Sequence, residues 1–126
     1  MTSTVFVTGA AGFIGAALSL RLLECGESVV GIDNLNSYYD PSLKRSRLAR
    51  IKAAAPSGAW RFEELALESG EELMALFAEE RPRVVVNLAA QAGVRYSLEN
   101  PAAYIQSNLV GFGHILEGCR HHGVEN

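Results

Sequence analysis

The stretch Val5–Gly15, VFVTGAAGFIG, constrains this chain more than any other. A short apolar run, Val5, Phe6 and Val7, meets three glycines, Gly9, Gly12 and Gly15, and a helical pattern follows at once. Strand, tight turn and helix start in that order form the context in which a glycine-rich turn binds a dinucleotide pyrophosphate. A missing Cβ permits positive φ in the turn. It also lets phosphates approach the backbone and the helix approach the strand. The helix N-terminus then offers unpaired N–H donors and partial positive charge to an anion.

The rest of the chain repeats the alternation. Thr4–Thr8 reads as a buried strand. Its helix carries Ile14, Leu18 and Leu22 at four-residue spacing, with Leu23 and Cys25 beside them, and Gly26 stops it. Val29, Val30 and Ile32 make a second strand ending at Asp33, near the ~20-residue offset at which an acid takes the adenosine ribose. The acid favours NAD over NADP, since a 2′-phosphate would face a carboxylate and no Arg or Lys follows directly. The plain alternative for Asp33 is a turn cap at a strand end.

Asp40-Pro41 opens a helix from Leu43 to about Ala54 with a thin apolar stripe of Leu43, Leu48 and Ile51. Its basic run (Lys44, Arg45, Arg47, Arg50, Lys52) reads as a solvated face in preference to a phosphate contact. Trp60–Leu67 reads as a weaker third strand, and Ser69 with Glu72 has the capping-box form. Leu73, Leu76 and Phe77 share one helix face, which Pro82 closes. Val84–Val86 begin a fourth strand running into Asn87-Leu88-Ala89-Ala90. Gln91–Glu99 reads as a loop. Asn100-Pro101 starts a last helix, with Ile105, Leu109, Phe112, Leu116 and Cys119 as one apolar stripe.

The expected fold is therefore α/β, a Rossmann-type doubly wound parallel sheet of order 3-2-1-4 with helices on both faces and a ligand crevice between strands one and four. A length of 126 residues suits one domain. A net charge of −3 with no basic stripe argues against nucleic acid. Cys25 and Cys119 read as buried reduced thiols. The adjacent His121 and His122 point apart on a helix, so no metal site is expected. With no apolar run of membrane-spanning length, no membrane partner is expected and the cytoplasm is the default.

TGAAGFIG, the acid in GIDNLNSYYD, the run NLAAQAGVRYSLENP and the segment NLVGFGHILE together resemble the extended short-chain dehydrogenase/reductase family. The similarity is to its nucleotide-sugar epimerase branch, nearest the UDP-glucuronate 4-epimerases, and it covers essentially the whole chain. It implies NAD as cofactor and a 4-epimerisation in which a hydride leaves the sugar 4-position and returns to the other face of a 4-keto intermediate. It places Gly9, Gly12, Phe13, Ile14 and Gly15 at the pyrophosphate. Asp33, Asn34, Asn36 and Ser37 fall on the adenosine-side loop. Leu88, Ala89, Ala90 and Gln91 fall beside the nicotinamide half, and Asn108 on a helix near the cofactor. Val94 and Arg95 lie toward the UDP-sugar. Arg95 is either a partner for a carboxylate or diphosphate or a member of a structural ion pair.

Two departures stand out against the family pattern. Ala66, followed by the cofactor-side Leu67, takes the place of an Asp that accepts a bond from the adenine amino group. The family's catalytic Tyr-x-x-x-Lys is also absent: the residues four beyond the tyrosines are Ser42, Leu43, Asn100 and Asn108. These departures imply an N-terminal, NAD-binding part of an epimerase, residues 1–126, without the fifth and later strands, the substrate domain or a catalytic residue, and inactive by itself. The alternatives are a non-catalytic nucleotide-binding or regulatory module, or part of a related dehydratase or reductase. An uncovered fourth-strand edge, or helices left bare, implies self-association or a homo-oligomer.

Overall fold

The computed structural model describes residues 3–36, 40–92 and 94–126. The elements run β1 (Thr4–Thr8), α1 (Phe13–Glu24), β2 (Ser28–Asp33), α2 (Pro41–Ala54), β3 (Trp60–Glu64), α3 (Gly70–Glu80) and β4 (Val84–Asn87). They continue with α4 (Val94–Glu99), α5 (Pro101–Ile105), a π-helical turn (Gln106–Gly111) and α6 (Phe112–His121). The four strands are parallel in the order β3-β2-β1-β4, as the alternation requires. Thr8 lies opposite Ile32 on one side and Asn87 on the other, so the carboxyl ends of the central strands reach one rim.

Alternation along the buried strands divides the core. Phe6, Val30 and Ile32 pack with Leu73, Leu76, Phe77 and Ile115 on one face, and Phe6 and Phe77 meet ring to ring at 4.9 Å. Val5, Val7 and Val29 pack with Ala16, Leu23 and Ile51 on the other. Among the described residues no helix is long and apolar enough to cross a membrane.

Two helices bury small residues where their apolar periodicity puts larger ones, although Leu18 and Leu22 of α1 still pack against the core. On α1 the buried residues are Gly15, Ala16, Ser19 and Leu23, while Ile14 is exposed. A Cβ on Gly15 would stand 2.1 Å from Gly9 O, so only small residues let this helix lie so close to β1. At the other end of the chain, the packed face is Gly111, Ile115 and Gly118. A Cβ on Gly118 would reach within 2.5 Å of the Phe77 ring. The expected stripe of Ile105, Leu109, Phe112 and Leu116 is 50%, 66%, 44% and 54% exposed instead. Larger side chains would hold the helix off, so glycine decides which face packs.

The ends of the elements follow local chemistry. Gly26 (φ 86°) ends α1, with Gly26 N–H donating to Leu23 O and Glu27 N–H to Leu22 O, the paired bonds of a left-handed helix stop. Asp40 caps α2 by accepting from Ser42 N–H, and Asn100 caps α5 by accepting from Ala103 N–H. Ser69 makes no side-chain cap bond, so the expected capping box does not form; Ser69 O accepts from Leu73 N–H instead. The third strand stops at Glu64, short of Leu67. Leu65 and Leu67, two residues apart, both turn into the same core beyond the strand's end. The expected loop at 91–99 contains the short helix α4, closed by Asn100 N–H donating to Tyr96 O.

The outer edge of β4 is not wholly open. Glu125 N–H donates to Arg83 O, and Val85 N–H to Asn126 O. Cys25 is exposed, against expectation, because it sits at the end of α1 with the buried face turned away. Cys119 is half-buried, and that burial pushes its thiol up. His121 reaches Glu117 at 3.0 Å while His122 stacks on Phe77, so the two rings do point apart.

Candidate functional site

A cavity of about 400 Å³ opens at the carboxyl rim, where the strand order reverses between β1 and β4. In open parallel sheets ligands sit at this switch point. Gly9 and Gly12 form its floor beside Asp33, and Leu88, Ala89, Ala90 and Gln91 form the opposite wall.

The floor is built by the three glycines, each for its own reason. Gly9 has φ 67°, and a Cβ there would stand 2.9 Å from the Leu88 carbonyl carbon. Gly12 precedes α1, and a Cβ there would meet only Gly9 O, at 3.1 Å, so the turn is open on its cavity side. Gly15 lies beneath, in the contact between helix and strand, and does not border the cavity. Because Gly12 has no side chain and the first turn holds no acid, nothing on α1 itself competes with an anion for its N–H groups.

Asp33 is buried, and its carboxylate is engaged on both oxygens. Oδ2 accepts from Ala11 N–H at 3.1 Å, and Oδ1 accepts from Leu35 N–H at 2.8 Å and from Lys44 Nζ at 3.3 Å. The acid thus ties the glycine turn to the end of β2 and is held facing the crevice.

Thr8 fixes the far wall. Its buried hydroxyl donates to Asn87 Oδ1 and accepts from Leu88 N–H at 2.9 Å and Ala89 N–H at 3.0 Å. Asn108 secures the next stretch: its Oδ1 accepts from Gln91 N–H at 2.9 Å, and its Nδ2 donates to Gln91 O at 3.2 Å. Asn108 lies in the π-helical turn, a local widening that recurs at functional sites. Asn36 Nδ2 donates to Gln91 Oε1 at 3.4 Å, so the two walls touch.

Most of the residues singled out in the sequence converge here. Phe13, Asn34, Asn36 and Leu67 border the cavity with the glycine floor, Asp33 and the Leu88–Gln91 wall. Ile14 and Asn108 do not; Ile14 is exposed beside the turn, and Asn108 stands behind Gln91. Ser37 lies outside the described residues, as does the side chain of Val94. Arg95 is exposed on α4 and is not among the residues lining the cavity.

Sequence reasoning passed over two cations. Lys44 and Arg47 of α2, read as a solvated face, both line the cavity, and Arg47 Nη1 donates to Ala11 O at 3.1 Å. Their i, i+3 spacing puts both on one side of α2 but does not tell whether that side meets water or the strand's end. Glu68, two residues beyond Ala66, also borders the cavity.

Among the described residues no cluster suited to a metal ion occurs. What the site offers is a bare backbone turn for a diphosphate, a fixed carboxylate for a diol and an apolar wall for a flat ring. That donor set fits a dinucleotide.

The comparisons agree with this geometry. The GDP-mannose 4,6 dehydratase family profile matches residues 6–126. UDP-glucuronate 4-epimerase 4 of Arabidopsis thaliana is 48% identical over 117 residues, covering 93% of this chain and 26% of that protein. UDP-glucose 4-epimerase of Thermotoga maritima, solved with UDP-glucose, superposes with a TM-score of 0.80 at 34% identity, over 96% of this chain and 35% of that one. The Thermus thermophilus UDP-glucose 4-epimerase, solved with NAD, gives 0.77 at 36% identity, with the same coverage of 96% and 35%. The chain spans about a third or less of the curated relatives it matches. With the profile covering nearly its whole length and the crevice built as described, the chain belongs to the GDP-mannose 4,6 dehydratase family of nucleotide-sugar enzymes.

Proposed function

We propose that this chain is the NAD-binding part of a UDP-sugar 4-epimerase, acting on UDP-glucuronate or a related UDP-hexose. The observation that carries the reading is the cavity at the switch point, with the Gly9–Gly12 turn, the Asp33 carboxylate and the Leu88–Gln91 wall on one crevice. In this reading the diphosphate lies over Gly9, Gly12 and Phe13, with Ile14 and Gly15 shaping the turn from outside and beneath. Asp33, Asn34, Asn36 and Ser37 hold the adenosine, and Leu67 lies against it. Leu88, Ala89, Ala90 and Gln91 flank the nicotinamide, with Asn108 holding Gln91 in place. When bound, NAD would take up and return the hydride at the sugar 4-position.

The chain's own residues bind and orient; none is assigned as the base. A hydroxyl that loses a hydride must also lose a proton, and the family pattern gives that task to the Tyr-x-x-x-Lys missing here. We therefore expect no turnover by this chain alone. Val94 and Arg95 would act on the UDP-sugar side. With Ala66 in place of an acid, one hydrogen bond to adenine is lost, roughly 0.5–1.5 kcal/mol, or about two- to tenfold in affinity.

Calorimetry with NAD on the purified chain tests the first half, and absence of heat at millimolar NAD rejects it. Incubation with UDP-glucuronate and NAD tests the second, and formation of the 4-epimer rejects it. The family profile also admits a sugar-nucleotide dehydratase; the similarity to named 4-epimerases favours epimerisation.

A further inference from the structure

We propose that His114 is a positioning residue for the adenine side of the crevice: its imidazole holds the turn that forms this wall and so sets how tightly an adenine nucleotide is held. This rests on the crevice being a dinucleotide site in which Leu67 lies against the adenosine. Beyond β3 the chain turns from Ala66 to Ser69, closed by Ser69 N–H donating to Ala66 O at 3.0 Å. The two central residues of the turn, Leu67 and Glu68, both border the cavity. The ladder of the sheet ends before it, with Glu64 opposite Asp33.

His114 supplies the support that the ladder does not. Leu67 is buried, and among the described residues no backbone N–H donates to its carbonyl. A buried carbonyl left without a donor is costly. His114 Nδ1, on α6, stands 2.7 Å from Leu67 O. A carbonyl oxygen only accepts, so Nδ1 carries the proton. The ring is confined as well: a Cβ on Gly70 would stand 3.0 Å from its Cε1.

The backbone leading to His114 serves the same purpose. Three residues earlier, Gly111 comes so close that a Cβ there would stand 2.8 Å from Leu67 Cβ. Three residues earlier again, Asn108 grips Gln91 on the opposite wall through two bonds. Helical residues three apart are neighbours on the surface. Residues 108–114 therefore form one brace behind both walls, Asn108 serving the nicotinamide side and His114 the adenine side. With Ala66 offering no acceptor to adenine, the fit of that wall rests on where the turn puts Leu67.

The test is calorimetric titration with 5′-AMP and NAD of the 126-residue chain and of His114→Leu, His114→Gln and His114→Asn, each shown folded by its urea transition. Asparagine carries an amide N–H where imidazole carries Nδ1–H; glutamine carries one nearer the place of Nε2. His114→Leu and His114→Gln should raise the 5′-AMP Kd by about tenfold. His114→Asn should bring it back to within about threefold of the unaltered value. A histidine with a merely structural role would lower the urea midpoint and leave the Kd where it was. A 5′-AMP Kd that His114→Leu leaves unchanged, or that His114→Asn fails to restore, overturns the inference; NAD binding by the unaltered chain then leaves the crevice reading intact. If neither 5′-AMP nor NAD binds the unaltered chain, the crevice reading fails and the inference with it. Should the variants not fold, nitrogen NMR of the unaltered chain decides. There 5′-AMP should shift the His114 Nδ1 resonance and leave that of the exposed His121 unmoved. A His114 resonance indifferent to the nucleotide overturns the inference.

Discussion

At Gly15 one added methyl group would collide with Gly9 O, whereas at Gly12 it would meet only a 3.1 Å contact. The two glycines therefore separate stability from binding. Gly15→Ala should lower unfolding stability by about 1–3 kcal/mol, as overpacked sites do. Gly12→Ala should leave the urea midpoint nearly unchanged and weaken NAD by about tenfold or more. Thr8→Val removes the hydroxyl that serves Leu88 and Ala89 N–H, and stranding such a donor costs about 1–3 kcal/mol; a fall in the urea midpoint measures it. At this scale the sequence was readable wherever a residue type is nearly forced. Glycine at positive φ and an acid at a strand end have few substitutes. Lys44 and Arg47 were not readable, because a basic helix looks the same whether it faces water or a carboxylate.

Among the elements, strand order and number follow from the alternation of apolar runs, and the sheet is as expected. The packed face departs from the apolar stripe at Ile14 on α1 and along most of the stripe from Ile105 to Leu116. Hydrophobic periodicity finds the face with most to bury, but a helix lying close to a sheet needs its smallest side chains at the contact, as Gly15, Ala16 and Ser19 show on α1. Helix α4 escaped notice because six residues are too few to show a period. Caps fared better where an acid or amide precedes proline. Hydrogen bonds from Ser42 hold the exposed Asp40 carboxyl below its usual range. A carboxyl depressed by folding stabilises at pH above its unfolded value and ceases to do so as pH falls through its folded one. Amide exchange in the first turn of α2 should therefore accelerate in strong acid. Asp40→Asn should flatten that dependence, since the amide keeps an acceptor that does not titrate.

For the whole molecule, the exposed face of Ile105, Leu109, Phe112 and Leu116 matters more than the β4 edge, where Glu125 and Asn126 already lie against Arg83 and Val85. We expect self-association through this helical face, so light scattering should report a mass above the monomer. Leu109→Glu with Leu116→Glu should return it to the monomer; a monomeric unaltered chain would refute this. The uncapped start of α1 has a consequence at the same scale. With Gly12 unable to supply an acceptor and no acid in the first turn, a bound anion would complete the helix start in the proposed reading. Occupancy and heat resistance then share one free energy, and a ligand at a hundred times its Kd adds about 2.7 kcal/mol. The melting temperature of this chain should climb with NAD concentration, which makes a thermometer sufficient to tell whether its crevice is filled.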